Sequence, residues 1–91
     1  MSSAKYRVFL GKDADKALEL LASPIRERIV EQLRKLKEGF TQDLDIKKLK
    51  GYKTYYRLRV GDHRAILDLQ PGYTIIVLAI LPRKKAYKRG V

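Results

Sequence analysis

Residues 55–67, YYRLRVGDHRAIL, constrain the fold of this chain more than any other stretch. Two alternating segments flank Gly61-Asp62. Glycine at the first central position of a two-residue loop suits a type II′ turn, whose twist matches that of the flanking strands. The spacing therefore predicts a β-hairpin in which Val60 faces His63, Arg59 faces Arg64 and Leu58 faces Ala65. Successive side chains alternate across a strand. Tyr56, Leu58, Val60, Ala65 and Leu67 then form a core face, and Arg57, Arg59 and Arg64 share the other. Like charges directly opposite one another destabilise a sheet, so arginines in that position point to an anionic ligand.

The rest of the chain supplies what such a hairpin needs to bury its apolar face. Lys5 to Leu10 alternates and reads as a strand, broken by Gly11. Asp13 is a plausible helix start, and Ala14, Ala17, Leu18 and Leu21 follow on one helical face. Ser23-Pro24 opens a second helix, with Ser23 as N-cap and proline in the first turn. Its apolar stripe is Ile25, Ile29, Leu33 and Leu36, and Gly39 stops it. The short link between the helices makes an αα-hairpin. Phe40 to Lys53 has no clear period and reads as a loop pinned by Leu44, Ile46 and Leu49. Pro71-Gly72 marks a turn. Thr74 to Leu81 is a continuous apolar run, expected to be a strand buried on both faces.

The expected order is β-α-α-β-β-β, an α+β fold. A helical hairpin packs on one face of a four-stranded, mainly antiparallel sheet whose opposite face stays open and shallow. Ile25, Ile29, Leu33, Leu58, Val77 and Ile80 are the expected core. With 91 residues there is room for one domain, spanning 1–91, of which 83–91 form a basic C-terminal tail.

Charge then narrows the function. The chain carries 21 basic residues against 10 acidic, a net charge of +11. Self-repulsion on that scale disfavours compaction, so an anionic partner is expected: nucleic acid first, an acidic protein next. A Lys-rich surface of the thermophilic kind would be balanced in sign, and this one is not. There is no cysteine, which excludes disulfides and thiolate metal sites, and a single histidine with scattered acids argues against structural zinc. No apolar run reaches the ~20 residues of a membrane span and no signal-peptide core precedes the first strand; the expectation is a soluble cytoplasmic protein.

If the Pro71-Gly72 turn closes tightly, with Leu69 opposite Thr74, Arg64 lies opposite Ala79 and Arg83 continues the same face. Arg57, Arg59, Arg64 and Arg83 would then converge. One strand arginine paired to Asp68 needs no ligand, but four together make an anion site, because the planar guanidinium fork matches phosphate. Lys47, Lys48, Lys50, Lys84 and Lys85 are expected contacts to an RNA backbone. Tyr52, Tyr55, Tyr56 and Tyr87 lie around the cluster, and those on the open face would stack on bases. No Ser-His-Asp pattern, glycine-rich phosphate loop or acid–base carboxylate pair is present, and His63, on the helix-covered face, reads as structural. The chemistry left is phosphate chemistry driven by cations, with the RNA 2′-hydroxyl as nucleophile. Arginine stays protonated and cannot be the base, which leaves Lys50, Lys84, Lys85 and Tyr87 as candidates for proton transfer.

Three segments carry a resemblance: Lys48 to Tyr52 (KLKGY), Tyr56 to Arg64 (YRLRVGDHR) and Leu81 to Lys88 (LPRKKAYK). With the helix pair, they resemble the RelE/ParE superfamily of toxin–antitoxin toxins, and within it the archaeal RelE-like branch. The resemblance implies a cytoplasmic endoribonuclease that cleaves mRNA in the ribosomal A site. It would work without metal or cofactor, by 2′-hydroxyl attack on the adjacent phosphate. It also implies an acidic RelB-like antitoxin that wraps the toxin in a hetero-oligomer. Arg57 and Arg59 fall where bacterial members carry two lysines, Arg64 matches the arginine after the hairpin turn, and Arg83 and Tyr87 match the C-terminal arginine and tyrosine. These five are the catalytic residues the resemblance implies. His63 replaces a tyrosine. Lysine at the first two positions is associated with proton transfer, so Arg57 and Arg59 leave the base unidentified. Two other readings stay open: a ParE-like toxin that poisons gyrase, and a basic nucleic-acid-binding module without chemistry.

Overall fold

In a computed structural model that describes residues 5–82, strand β1 (Arg7–Leu10) leads into helices α1 (Lys12–Leu20) and α2 (Ser23–Lys35) and a 3₁₀ turn, Leu36–Glu38. Strands β2 (Asp45–Lys48), β3 (Tyr55–Val60), β4 (His63–Gln70) and β5 (Thr74–Pro82) follow. They form one sheet in the order β1-β5-β4-β3-β2, antiparallel except for β1 beside β5. Helix α1 packs on β5 and β1 and α2 on β3, so both helices cover the same face. The α+β class and helical hairpin agree with the sequence reading, but the sheet has a fifth strand.

That strand is β2, within the segment read as a loop. Its residues, Asp45, Ile46, Lys47 and Lys48, carry one apolar side chain among charges, too little for a periodic signal. Pairing to β3 makes it a strand: the edge of β3 presents unpaired backbone groups, and Ile46 opposite Leu58 and Lys48 opposite Tyr56 complete the ladder. Leu44, buried just before it, pins the entry. The charged residues suit an edge position, where lysine discourages pairing with another chain.

The β3–β4 hairpin has the expected register throughout: Val60 opposite His63, Arg59 opposite Arg64 and Leu58 opposite Ala65. Gly61 has φ +59° and Asp62 a negative φ, the pattern of a type II′ rather than a type I′ turn. The β4–β5 register differs from the expected one in two places. Pro71, Gly72 and Tyr73 form a three-residue loop, so Gln70 rather than Leu69 faces Thr74. A bulge between Ile66 and Leu67 adds one residue on β5, and Arg64 faces Leu81, not Ala79. Each one-residue shift alone would move the β5 side chains to the other face; together they return Ala79 and Leu81, beyond the bulge, to the open face, while Arg64 beside Arg59 is fixed by the β3–β4 pairing. The bulge also lets Val77 and Ile80, an odd number of residues apart, both point into the core.

Ile29, Leu33, Leu58, Val77 and Ile80 are buried as expected, with Ala14, Leu18, Leu36, Leu67 and Ile75. Ile25 is not: it is 39% exposed, in the first turn of α2 and one turn before the buried Ile29. Ser23 is not the N-cap either. Ala22 holds that position without a side-chain bond, and the Ser23 hydroxyl donates to Glu27 Oε2 at 3.2 Å. Strand β5 is buried on one face only; Ile76, Leu78 and Ala79 are half-buried and Leu81 exposed, because no described element covers the open face.

Candidate nucleic-acid interface

The open face is a short lattice of cations. Alternation along β3 puts Tyr55, Arg57 and Arg59 on it, and pairing brings Arg64 directly across from Arg59. From the other side, Asp45 lies opposite Arg59 and Lys47 opposite Arg57. Two rows result: Asp45, Arg59, Arg64 and Leu81, then Lys47, Arg57, Ile66 and Ala79.

The arginines are not equivalent. Arg57 Nη1 lies 3.4 Å from Asp45 Oδ1, and its side chain is only 16% exposed. Ile66 lies directly across from it, and the ion pair with Asp45 holds Arg57 in place. The other carboxylate on this face, Asp68, is not an arginine partner. It accepts from Thr54 Oγ1 and Gln70 Nε2, both at 2.7 Å. Among the described residues neither Arg59 nor Arg64 has a carboxylate oxygen within 4.0 Å. Two adjacent guanidinium groups with free donors can grip one phosphate by several charge-assisted hydrogen bonds.

Of the lysines expected to contact RNA, Lys47 shares the arginine face, Lys48 projects from the opposite side of the edge strand, and Lys50 lies in the turn after it. Arg83, Lys84, Lys85 and Tyr87 lie outside the described residues, so the expected convergence of Arg83 and Tyr87 with Arg64 does too. Tyr56 belongs to the core side, edge-on to Phe40 with ring centroids 4.9 Å apart. Tyr52 and Tyr55 stack at 5.0 Å and 12° at the far end of the open face. His63 sits on the helix side and lines a cavity of about 100 Å³ with Ile25, Arg28 and Val60, which fits a structural residue. Sequence reasoning missed Asp45 as the partner of Arg57. Its only signal was the alternation of Asp45, Ile46 and Lys47, too short to distinguish from a loop.

A larger groove, about 620 Å³, runs between α2 and the hairpin tip and is also bordered by Arg59. Glu27 and Glu31 on its wall set carboxylates against Arg28 and Arg59. The two carboxylates offset the two guanidinium groups there, whereas on the sheet face Arg57, Arg59, Arg64 and Lys47 outnumber Asp45 and Asp68, so the sheet face is the better anion site. Among the described residues no helix is long and apolar enough to cross a membrane.

Residues 8–87 match the profile of the ParE toxin of the type II toxin–antitoxin system parDE. The chain is 38% identical over 84 residues to Toxin RelE3 of Methanocaldococcus jannaschii, covering 89% of this chain and 94% of that one. The fold matches the RelE chain family in two archaeal crystal structures. One is a RelB–RelE antitoxin–toxin complex from Methanococcus jannaschii (35% identity, TM-score 0.76, covering 89% of this chain and 96% of that chain). The other is a RelE–RelB complex from Pyrococcus horikoshii (31% identity, TM-score 0.75, covering 87% and 96%). With the profile spanning most of its length and a relative this similar end to end, the chain belongs to the RelE/ParE family of toxins of type II toxin–antitoxin systems.

Proposed function

We propose that this toxin is a ribosome-dependent endoribonuclease that cleaves mRNA in the A site and is silenced by an acidic RelB-like antitoxin. The observation that carries the reading is the pair Arg59 and Arg64, side by side on an open sheet face with no carboxylate oxygen within 4.0 Å of either among the described residues. In cleavage the RNA 2′-oxygen bonds to phosphorus as the bond to the 5′-oxygen breaks. A base takes the 2′-hydroxyl proton and an acid returns one to the leaving oxygen. Negative charge grows on the phosphoryl oxygens, and preorganised donors aimed at it supply most of the catalysis. Arg64 fits that role, joined by Arg83. Arg57, braced by Asp45, and Arg59 position the RNA backbone with Lys47. Tyr87 stacks on a base or moves a proton; arginine stays charged and does neither half of the proton transfer.

An inhibitor of matching chemistry is an acidic chain, given the net charge of +11. An apolar groove of about 160 Å³, lined by Val8, Leu10, Leu18, Val30 and Leu33 and rimmed by Arg34 and Lys37, suits an apolar segment with acidic flanks. The archaeal relatives above are found in complexes with RelB.

Single-turnover cleavage of mRNA on programmed ribosomes at saturating toxin tests the reading. Arg64→Ala should slow cleavage by ~10²–10³, the cost of one lost charge-stabilising donor, while Lys48→Ala, on the other side of the sheet, should change it little. Arg64→Ala cleaving at the wild-type rate would refute the catalytic role. Because the matching family profile is that of ParE, gyrase supercoiling in the presence of the toxin is the second assay. Inhibition there without mRNA cleavage would make this a gyrase poison.

A further inference from the structure

We infer that the stacked rings of Tyr52 and Tyr55 form a subsite for one unpaired RNA base, at the end of the arginine face away from Arg64. The inference deepens the RNA reading above and rests on it. Tyr55 stands on the same face of β3 as Arg57 and Arg59, and a strand advances about 7 Å per two residues. An RNA strand whose phosphates lie along Arg59 and Arg57 therefore reaches Tyr55 at its next step.

The chemistry of the face changes at that point. Tyr55 lies opposite Asp68, a carboxylate already satisfied by Thr54 and Gln70. A phosphate is unfavourable beside it, whereas a neutral base is not. One face of the Tyr52 ring lies against Tyr55, so its exposure, 55% for the residue, falls on the other face and the edges. The platform is also held before any ligand arrives. Leu69 N–H donates to the Thr54 carbonyl at 2.8 Å and Thr54 Oγ1 to Asp68 at 2.7 Å, which tie the start of β3 to β4. Leu49 N–H donates to the Tyr55 carbonyl at 3.0 Å and Tyr52 N–H to the Leu49 carbonyl at 3.4 Å, which shape the turn carrying Tyr52. A preorganised aromatic surface binds a base with little ordering cost. Lys50 and Lys53 flank it in sequence and add attraction without reading the base.

The test is equilibrium binding of fluorescein-labelled hexaadenylate and hexauridylate RNA by the full-length toxin, titrated at several salt concentrations. Loss of one stacked base should weaken binding of Tyr52→Ala about 5- to 150-fold. The slope of log affinity against log salt should stay unchanged, since no phosphate contact is lost. Tyr52→Phe should bind like the wild type, and hexaadenylate should lose more than hexauridylate. The melting curve of Tyr52→Ala, altered in an exposed turn, checks the fold. Unchanged affinity of Tyr52→Ala beside salt-dependent wild-type binding would overturn the subsite and leave the RNA reading standing. Absence of salt-dependent binding by the wild type would overturn both. A Tyr52→Ala defect confined to binding an acidic protein partner would assign the pair to that contact and overturn the base subsite.

Discussion

Replacing Arg64 by glutamate should stabilise the protein while removing its activity. Arg64 and Arg59 are direct cross-strand partners, and among the described residues neither has a carboxylate oxygen within 4.0 Å. A cross-strand pair is worth roughly 0.2–1 kcal/mol, with the sign set by the charges. Arg64→Gln removes the repulsion at nearly constant shape, and Arg64→Glu converts it to attraction. The expected gain is a few tenths of a kcal/mol for the first and about 1 kcal/mol for the second. The choice of position matters. Arg59→Glu would set a carboxylate opposite Asp45 and lose what it gained, whereas the other neighbour of Arg64 is Leu81, which is uncharged. In a domain of this size, 1 kcal/mol moves the melting temperature by about 4–8 °C. Melting curves at low and high salt are the assay. The Debye length falls from about 10 Å at 0.1 M to about 3 Å at 1 M salt, so the gain should shrink as salt rises. If Arg64→Glu melted at or below the wild-type temperature in low salt, or if its gain ignored salt, the arginine pair would carry no electrostatic strain. The pair would then need no anionic ligand to account for it.

Gly61→Ala should cost about 1–2 kcal/mol, because φ of +59° is unfavourable for any side chain, although a Cβ there would sit 3.6 Å from the Arg28 guanidinium without a clash; an unchanged melting temperature would mean the turn relaxes. Asp45→Asn should release Arg57 to bind phosphate, so that RNA affinity rises and its salt dependence steepens by up to about one counterion, with little loss of stability for a pair more than half exposed on the acid side. A shallower slope would show that Asp45 is needed to hold Arg57 in place. A hydrogen bond from Thr41 and one from Lys35 hold the Asp43 carboxyl below its ordinary value of 3.8. Its contribution to stability is therefore full above that value and lost as pH falls through the lowered one. In acid titrations followed by circular dichroism, Asp43→Asn should be less stable than the wild type at neutral pH, and the difference should close at low pH.

Local patterning carried much of this protein in its primary structure. The hairpin was legible because its determinants are neighbours in the chain: period-two alternation sets the faces and Gly61 sets the turn. The same holds for the helix pair, whose apolar spacing places Ile29 and Leu33 under the sheet. The arginine face follows from the hairpin alone, so Arg57, Arg59 and Arg64 were readable together before any tertiary contact was known.

Tertiary structure decided everything that depends on a partner far away in the chain. Strand β2 exists because β3 offers it backbone groups, and only that pairing brings Asp45 to Arg57. The bulge in β5 answers the packing of both Val77 and Ile80 on the helices, a demand no alternation can encode. Ile25 carries the spacing of a core residue, yet it lies in the first turn of α2, at the rim beside the hairpin tip, and stays exposed. Periodicity tells which face of an element is apolar; where that element ends relative to its neighbours, and whether an edge strand finds a ladder, is set by long-range backbone pairing and packing, whose free energy appears only when the whole sheet assembles.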